Sequence, residues 1–317
     1  MLFRLLKHVI PAGLALGIAA PAGATVFSFT PIVLPSDAMG GDSGAIANDG
    51  TVVGTYFNGT GDVGFTWNSG TLTTLPQNPA DPANSAAYAG INTAGTVVGS
   101  ATSSGGAQYA FSLAGGTYTT LLAGAAANAF GINDAGTIVG EYLTGGATHG
   151  FALSGTTLTD IDIGAGGTHA YGISSNGLIA GFYQDNAFNQ FGFTTDGTNV
   201  TTLSYPSAAF TIAHAVNDLG VVVGTYEDSN FALHGFIYDA GSFINYDAPG
   251  AVNRTYLTGI NDSGLITGFF ASDAGTDQPF VLTVSDVPEP ASLALLAGGL
   301  LMLAFTRQLT RPAMRRI

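Results

Sequence analysis

The chain has 317 residues, 46% of them hydrophobic and only 9% charged, which excludes a charge-rich disordered polymer. It has no cysteine, so a disulfide framework and thiolate chemistry are excluded, and packing alone must hold the fold. Residues 25–286 carry all but one of the 21 carboxylates and a single cation, Arg254. A surface that acidic repels nucleic acid and anionic membranes.

Residues 1–24 read as a secretory signal peptide. Arg4 and Lys7 precede an apolar run from Val9 to Ala20, and the small residues Ala22 and Ala24 set the expected cleavage after Ala24. A retained membrane anchor is the alternative; Pro11 and the shortness of the run argue against it.

Residues 25–286 form one repetitive domain. Six segments align: IANDGTVVGTY, INTAGTVVGSA, INDAGTIVGEY, ISSNGLIAGFY, VNDLGVVVGTY and INDSGLITGFF. They recur about every 43 residues, a period that signals a repeat architecture. The chain holds 46 Gly, about twice the usual share of ~7%, with many Thr, Val, Phe and Tyr, so each unit is expected to be short strands and tight turns. Strand A ends at an Asn or Asp, and strand B begins just past a turn glycine: Gly50, Gly95, Gly136, Gly177, Gly220 or Gly264. Glycine serves there because it accepts positive φ without a Cβ clash. A second glycine inside strand B (Gly54, Gly99, Gly140, Gly181, Gly224, Gly268) is expected to make room for an aromatic of the adjacent sheet. Strand C carries one aromatic per unit: Phe65, Phe111, Phe151, Phe193, Phe236 and Phe280. Strand D is a run such as residues 117–122 or 199–203.

Four strands in about 43 residues make the blade of a β-propeller. The expected fold is therefore all-β, a six-bladed propeller. The last unit lacks a strand D, and residues 27–35 look like a spare one, so the N-terminal strand should complete the sixth blade and close the ring. An irregular seventh unit around Gln77 to Ser85 is the alternative blade count.

Residues 287–317 form a tail of three parts. Pro288, Glu289 and Pro290 precede an apolar run at 291–305, and Arg307, Arg311, Arg315 and Arg316 follow it. As a helix the run spans about 22 Å, short for a bilayer core of about 30 Å. The arginines place its C-terminal end in the cytoplasm and the repeat domain outside. The composition of the tail supports a transmembrane helix and nothing finer.

That three-part order resembles the PEP-CTERM sorting signal. The resemblance implies handling by an exosortase-type protease of a Gram-negative bacterium, a transient inner-membrane anchor, and transfer to the cell surface or release, often alongside exopolysaccharide. The repeats resemble HAF-type extracellular repeats, best matched at residues 234–270. His149-Gly150-Phe151 and His234-Gly235-Phe236 stand where that family has His-Ala-Phe. This second resemblance supports an exported repeat domain and brings no established activity.

Candidate chemistry is sparse. No G-x-S-x-G, H-E-x-x-H or phosphate-loop pattern occurs, and no motif calls for a cofactor. His149 and His234 occupy equivalent strand C positions in different blades, while His169 and His214 are placed near strand A and could face the central channel. Asp49, Asp134, Asp218 and Asp262 recur in the A–B turns, but a ring should point them different ways, short of the six to eight oxygens calcium needs. Asp160 and Asp162 share one face of an outer strand. Arg254 is expected to pair with a nearby Asp, and Trp67 is a lone candidate for sugar stacking. The first reading is an exported, non-enzymatic surface or matrix protein with extracellular polysaccharide as partner. A glycan-active lyase or hydrolase is the rival, marked by His169, His214, Arg254 and a carboxylate in contact. An inert spacer is the third reading.

Overall fold

The computed structural model describes residues 25–81 and 85–286. The signal segment with Ala22 and Ala24, and the tail with Pro288, Glu289 and Pro290, lie outside the described residues. The compact unit Phe27–Val284 is a six-bladed β-propeller of four-stranded sheets. No helix occurs among the described residues.

Blade 1 runs A (Gly41–Ile46), B (Val52–Phe57), C (Asp62–Asn68) and D (Thr71–Thr74), with consecutive strands antiparallel. The pattern repeats through blades 2 to 5. Blade 6 is Thr255–Ile260, Leu265–Ala271 and Asp277–Asp286, and its fourth strand is Thr25–Pro31 from the start of the domain. The expected closure is therefore observed. Phe29 packs on Phe280 with ring centroids 5.1 Å apart, and the Ile32 N–H donates to the Pro279 carbonyl at 2.9 Å. Strand A of each blade contacts strand A of the next all the way around, from blade 6 back to blade 1. No seventh unit occurs among the described residues; residues 75–81 and 85–86 link blade 1 to blade 2.

The core lies between blades. Val98 and Ala110 of blade 2 share a cluster with Phe151 and Ile138 of blade 3, and Ile32 and Val281 share one with Val52 and Phe65 of blade 1. The six strand C phenylalanines are at most 1% exposed. Burying each contributes about 1.5–3 kcal/mol.

One expectation is corrected here. The strand B glycine makes room for the aromatic of its own blade, not of the adjacent sheet. Gly140 lies directly opposite Phe151, as Gly54 does Phe65 and Gly268 does Phe280. A Cβ on Gly140 would stand 2.8 Å from the Phe151 ring and 2.0 Å from the Asn128 carbonyl oxygen. The cause is a one-residue bulge in strand A, between Ala129 and Gly131 in blade 3, which presses the strand A backbone against the glycine.

Each A–B turn is a four-residue turn closed by the glycine. In blade 3 the Gly136 N–H donates to the Asn133 carbonyl at 3.0 Å, and Gly136 has φ of 81°. All six turn glycines have positive φ. The buried Asn133 does more than start the turn. Its Oδ1 accepts from the Thr137 N–H at 2.9 Å, and its Nδ2 donates to the Ser174 carbonyl of blade 4 at 3.2 Å. Asn92, Asn217 and Asn261 repeat this arrangement, each donating to the following blade; Asn261 reaches Ala47 of blade 1 at 3.0 Å. These amides latch the ring at its inner rim.

Asn133→Ala should lower stability by about 1–3 kcal/mol, since it strands the part-buried Thr137 N–H and a buried carbonyl together. Denaturant unfolding measures this; a loss below about 0.5 kcal/mol would show that the amide latch is dispensable.

Candidate functional site

Three places were built by the repeat: the axial channel, the mouth formed by the A–B turns, and the gaps between blades. The innermost strands line the channel in layers. One layer is Ile46, Ile91, Ile132, Ile173, Val216 and Ile260; the bulge positions supply another, with Gly44, Ala89, Phe130, Tyr171, His214 and Thr258. The large rings crowd one side. Phe130 and Tyr171 lie 4.6 Å apart by centroid, and Tyr171 and His214 lie 5.2 Å apart. The cavity left is about 60 Å³. That is far below the ~300–1,000 Å³ of small-molecule pockets. The His214 Nε2 is buried without a hydrogen-bond partner, and burial pushes the imidazole down to about 4. Tyr171 is pushed upward by its burial and by the nearby Glu141 charge.

At the mouth the turn carboxylates do not all diverge as expected; two of them, Asp134 and Asp262, meet at Asn48. The Asn48 amide nitrogen lies between Asp262 Oδ2 at 2.8 Å, Asp134 Oδ2 at 3.3 Å and Ser175 Oγ at 3.4 Å. Backbone donors supply the rest: Thr93 N–H to Asp134 at 2.8 Å, Asn176 N–H to Asp218 at 2.8 Å, and Asp218 N–H to Asp262 at 2.8 Å. Asp49 is left out; it accepts from the Thr51 N–H within its own turn. Burial acts to raise the Asp134 carboxyl, but hydrogen bonds from Thr93, Asn48 and Ser175 outweigh it and hold the group below its ordinary value. The convergence was missed because sequence offsets do not reveal that strand A leads every turn toward the axis. The Asn48 amide occupies the point between Asp134 and Asp262. Among the described residues no cluster of three or more His, Cys, Asp or Glu is arranged to hold a metal.

The remaining titratable side chains pair off locally. His149 Nδ1 meets Asp162 at 2.9 Å, and in the equivalent place His234 Nδ1 meets Asp247 at 2.8 Å. His169 lies within strand A of blade 4 (Thr168–Ile173), pairs with Glu141 and stacks on Phe182 at 4.1 Å. Asp160 accepts from the Tyr142 hydroxyl at 2.8 Å. Arg254 pairs with Asp277 at 2.5 Å, as expected. His169 and Arg254 thus pair with separate carboxylates, while His214 lines the channel beside Tyr171. Trp67 lies within strand C of blade 1 and packs half-buried on the blade 1 core.

The gap between blades 1 and 2 departs from the repeat. The link there is longer in sequence than the next one, 122–125, and Leu75, Asn78, Asp81 and Ala86 from it line a cavity of about 230 Å³. Asp62, Asn78, Asp81, Leu75, Val63 and Tyr88 are among its lining. The only sign of it in the sequence is that the link breaks the repeat period.

No family model matches the chain, and no curated protein matches it. Solved structures do match in fold. A lectin of the fungus Aleuria aurantia, described as a six-bladed β-propeller with a novel mode of fucose recognition, is 15% identical, with a TM-score of 0.51; the match covers 81% of this chain and 99% of the lectin. A mutant form of the lectin, bound to Fucα1-6GlcNAc, is 12% identical, with a TM-score of 0.52 over 81% and 99% of the two chains. A gluconolactonase of Xanthomonas campestris is 12% identical, with a TM-score of 0.45 over 84% and 99%. At these identities the likeness is one of fold.

His214, with its Nε2 buried in the channel wall, gives a pH test. It titrates at about 4 folded and near 6.5 unfolded, so the folded chain binds fewer protons between those values. The contribution of this imidazole to stability should therefore fall as pH drops from 6.5 toward 4. His214→Gln should flatten that part of the profile in urea denaturation. A variant whose decline parallels the parent would refute the assignment.

Proposed function

We propose that this is an exported, non-enzymatic protein that binds extracellular polysaccharide at the cell surface. The observation that carries the reading is the dispersal of its reactive groups. A hydrolase or lyase needs a nucleophile or base, an orienting acid and a charge stabiliser at one point. Here three imidazoles each meet a separate carboxylate, and the fourth faces a cavity too small for a sugar. Glycan binding asks less: a rigid surface, convergent hydrogen-bond groups and no moving parts. The fold likeness to a fucose-recognising lectin supports this choice of ligand class.

Export and sorting enter through the two ends of the chain. The charged start, the apolar run and the small residues at Ala22 and Ala24 support secretion, with cleavage after Ala24. Pro288, Glu289 and Pro290, the apolar run and the closing arginines support capture by an exosortase-type protease after a transient stay in the inner membrane. The propeller would then reach the surface as an acidic platform.

Two measurements test this. The full chain, incubated with bacterial exopolysaccharides with and without calcium, should retain polymer and release no new reducing or unsaturated ends. Turnover would replace the reading with a glycan-active enzyme, and neither binding nor turnover would leave a spacer. In the producing cell, replacing Pro288 and Glu289 by Ala should hold the protein in the membrane fraction at full length. Unaltered release would reject the sorting role.

A further inference from the structure

The B–C turns display two aromatic rings that the core does not use. The A–B turns all lie at one end of the ring, because the strand A residues leading into them share one layer around the axis. The B–C turns therefore lie at the other end. In blades 2, 4, 5 and 6 these turns share one five-residue frame, in which the N–H of the fourth residue donates to the carbonyl of the first at 2.8–3.2 Å. The fourth residue always has positive φ: 79° at Gly106, 63° at Phe188, 64° at Phe231 and 75° at Gly275. Glycine fits there without steric cost, whereas a Cβ crowds the backbone. Blades 4 and 5 thus hold a phenyl ring where two sister blades have no side chain at all.

Both rings face water. Phe188 is 74% exposed and Phe231 is 81% exposed. Neither stacks on another ring among the described residues. A single exposed apolar side chain needs no explanation, but a backbone strained to display one, at the same place in two successive blades, points to use. The display is also braced. The Asp185 carboxylate accepts the Ala187 and Asn189 N–H groups at 2.8 and 2.9 Å, and the Asp228 carboxylate accepts those of Asn230 and Ala232 at 2.8 and 2.9 Å. A ring already held in place loses little freedom when a ligand covers it.

Charge and area select the occupant. The strand ends around these turns carry Asp185, Glu227, Asp228, Asp273 and Asp277 against one cation, Arg254, which is itself paired with Asp277. An anionic ligand is repelled there. Two phenyl rings offer about 300–500 Å² of contact, whereas a stable interface between protein chains takes about 800 Å² from each partner. A second copy of the chain therefore has too little to hold. An uncharged sugar matches the setting. Its C–H face lies on the negative face of a phenyl ring, and its hydroxyls exchange hydrogen bonds with polar neighbours such as Asn186 and Ser229. A polymer of such units meets both rings, and the second contact costs little further freedom once the first is made.

We infer that Phe188 and Phe231 are stacking platforms for one neutral polysaccharide chain lying across the B–C turns of blades 4 and 5. The inference rests on the polysaccharide-binding reading and names the surface and the ligand class.

The test is affinity electrophoresis of the full chain, in a detergent without sugar headgroups, through native gels cast with dextran, mannan, hydroxyethylcellulose or polygalacturonate. At least one neutral polymer should retard the parent, and polygalacturonate should not. Phe188→Gly combined with Phe231→Gly should weaken affinity for that polymer by about tenfold or more. The same double variant should have a urea midpoint no lower than the parent's, which a structural role for the rings does not allow. Phe188→Tyr with Phe231→Tyr should keep binding, and Phe188→Leu with Phe231→Leu, apolar but not flat, should lose it. Equal retardation of the parent and the glycine double variant rejects these turns and leaves the broader function standing. Full binding by the leucine double variant overturns stacking, and retardation by polygalacturonate overturns the choice of a neutral ligand. A parent that sediments as a dimer, with a monomeric glycine double variant, would assign the rings to contact between copies instead. If no neutral polymer retards the parent, the inference falls; if bacterial exopolysaccharides are not retained either, the broader reading falls with it.

Discussion

A buried amide at the inner end of four of the six blades is what ties hairpin sheets into one object. Asn92, Asn133, Asn217 and Asn261 each use Oδ1 to shape their own turn and Nδ2 to hold the next blade. One side chain thus couples local turn formation to ring assembly. Loss of the amide disturbs both levels, because a part-buried N–H and a buried carbonyl lose their partners together. Hydrophobic burial supplies the bulk of the stability, through the clusters between blades. It is non-directional, however, and sheets that stack on apolar faces can slide or form an open pile. The amides fix the angular register.

The ring tolerates variation in those latches. Ser174 replaces the asparagine in blade 4, and there Asn176 takes over, donating its N–H and its amide to Asp218 of blade 5. Blade 1 has Ala47 at the same place, while Asn48 spans the mouth toward Asp134, Ser175 and Asp262. The four buried amides all donate from the earlier blade to the later one, so these latches run in one rotational sense. Closing the mouth with side chains in this way gathers two carboxylates around the Asn48 amide.

Much of the architecture was legible beforehand. The repeat, the four strands per unit, the strand C phenylalanines and the borrowed N-terminal strand follow from turn glycines and alternating apolar residues, which are local signals. What stayed hidden depends on contacts that the repeat period does not specify. The partner of Gly140 is Phe151, further along the same sheet, and only the strand A bulge reveals why. The meeting of Asp134 and Asp262 with Asn48 spans half the ring. The cavity beside Asn78 was least legible, because an interruption in a repeat says where regularity ends and not what replaces it.

The shared sixth sheet has a consequence for assembly. Its Thr25–Pro31 strand comes from the first stretch of the domain and its Asp277–Asp286 strand from the last. During synthesis the early strand therefore waits, without its neighbour, until nearly every other residue has emerged. Contacts at such separation slow folding. Until they form, Asp277–Asp286 offers a bare edge that the leading strand of a second copy can occupy just as well. Concatenated chains are thus the characteristic misassembly of this design, and rapid dilution into folding conditions favours the single ring.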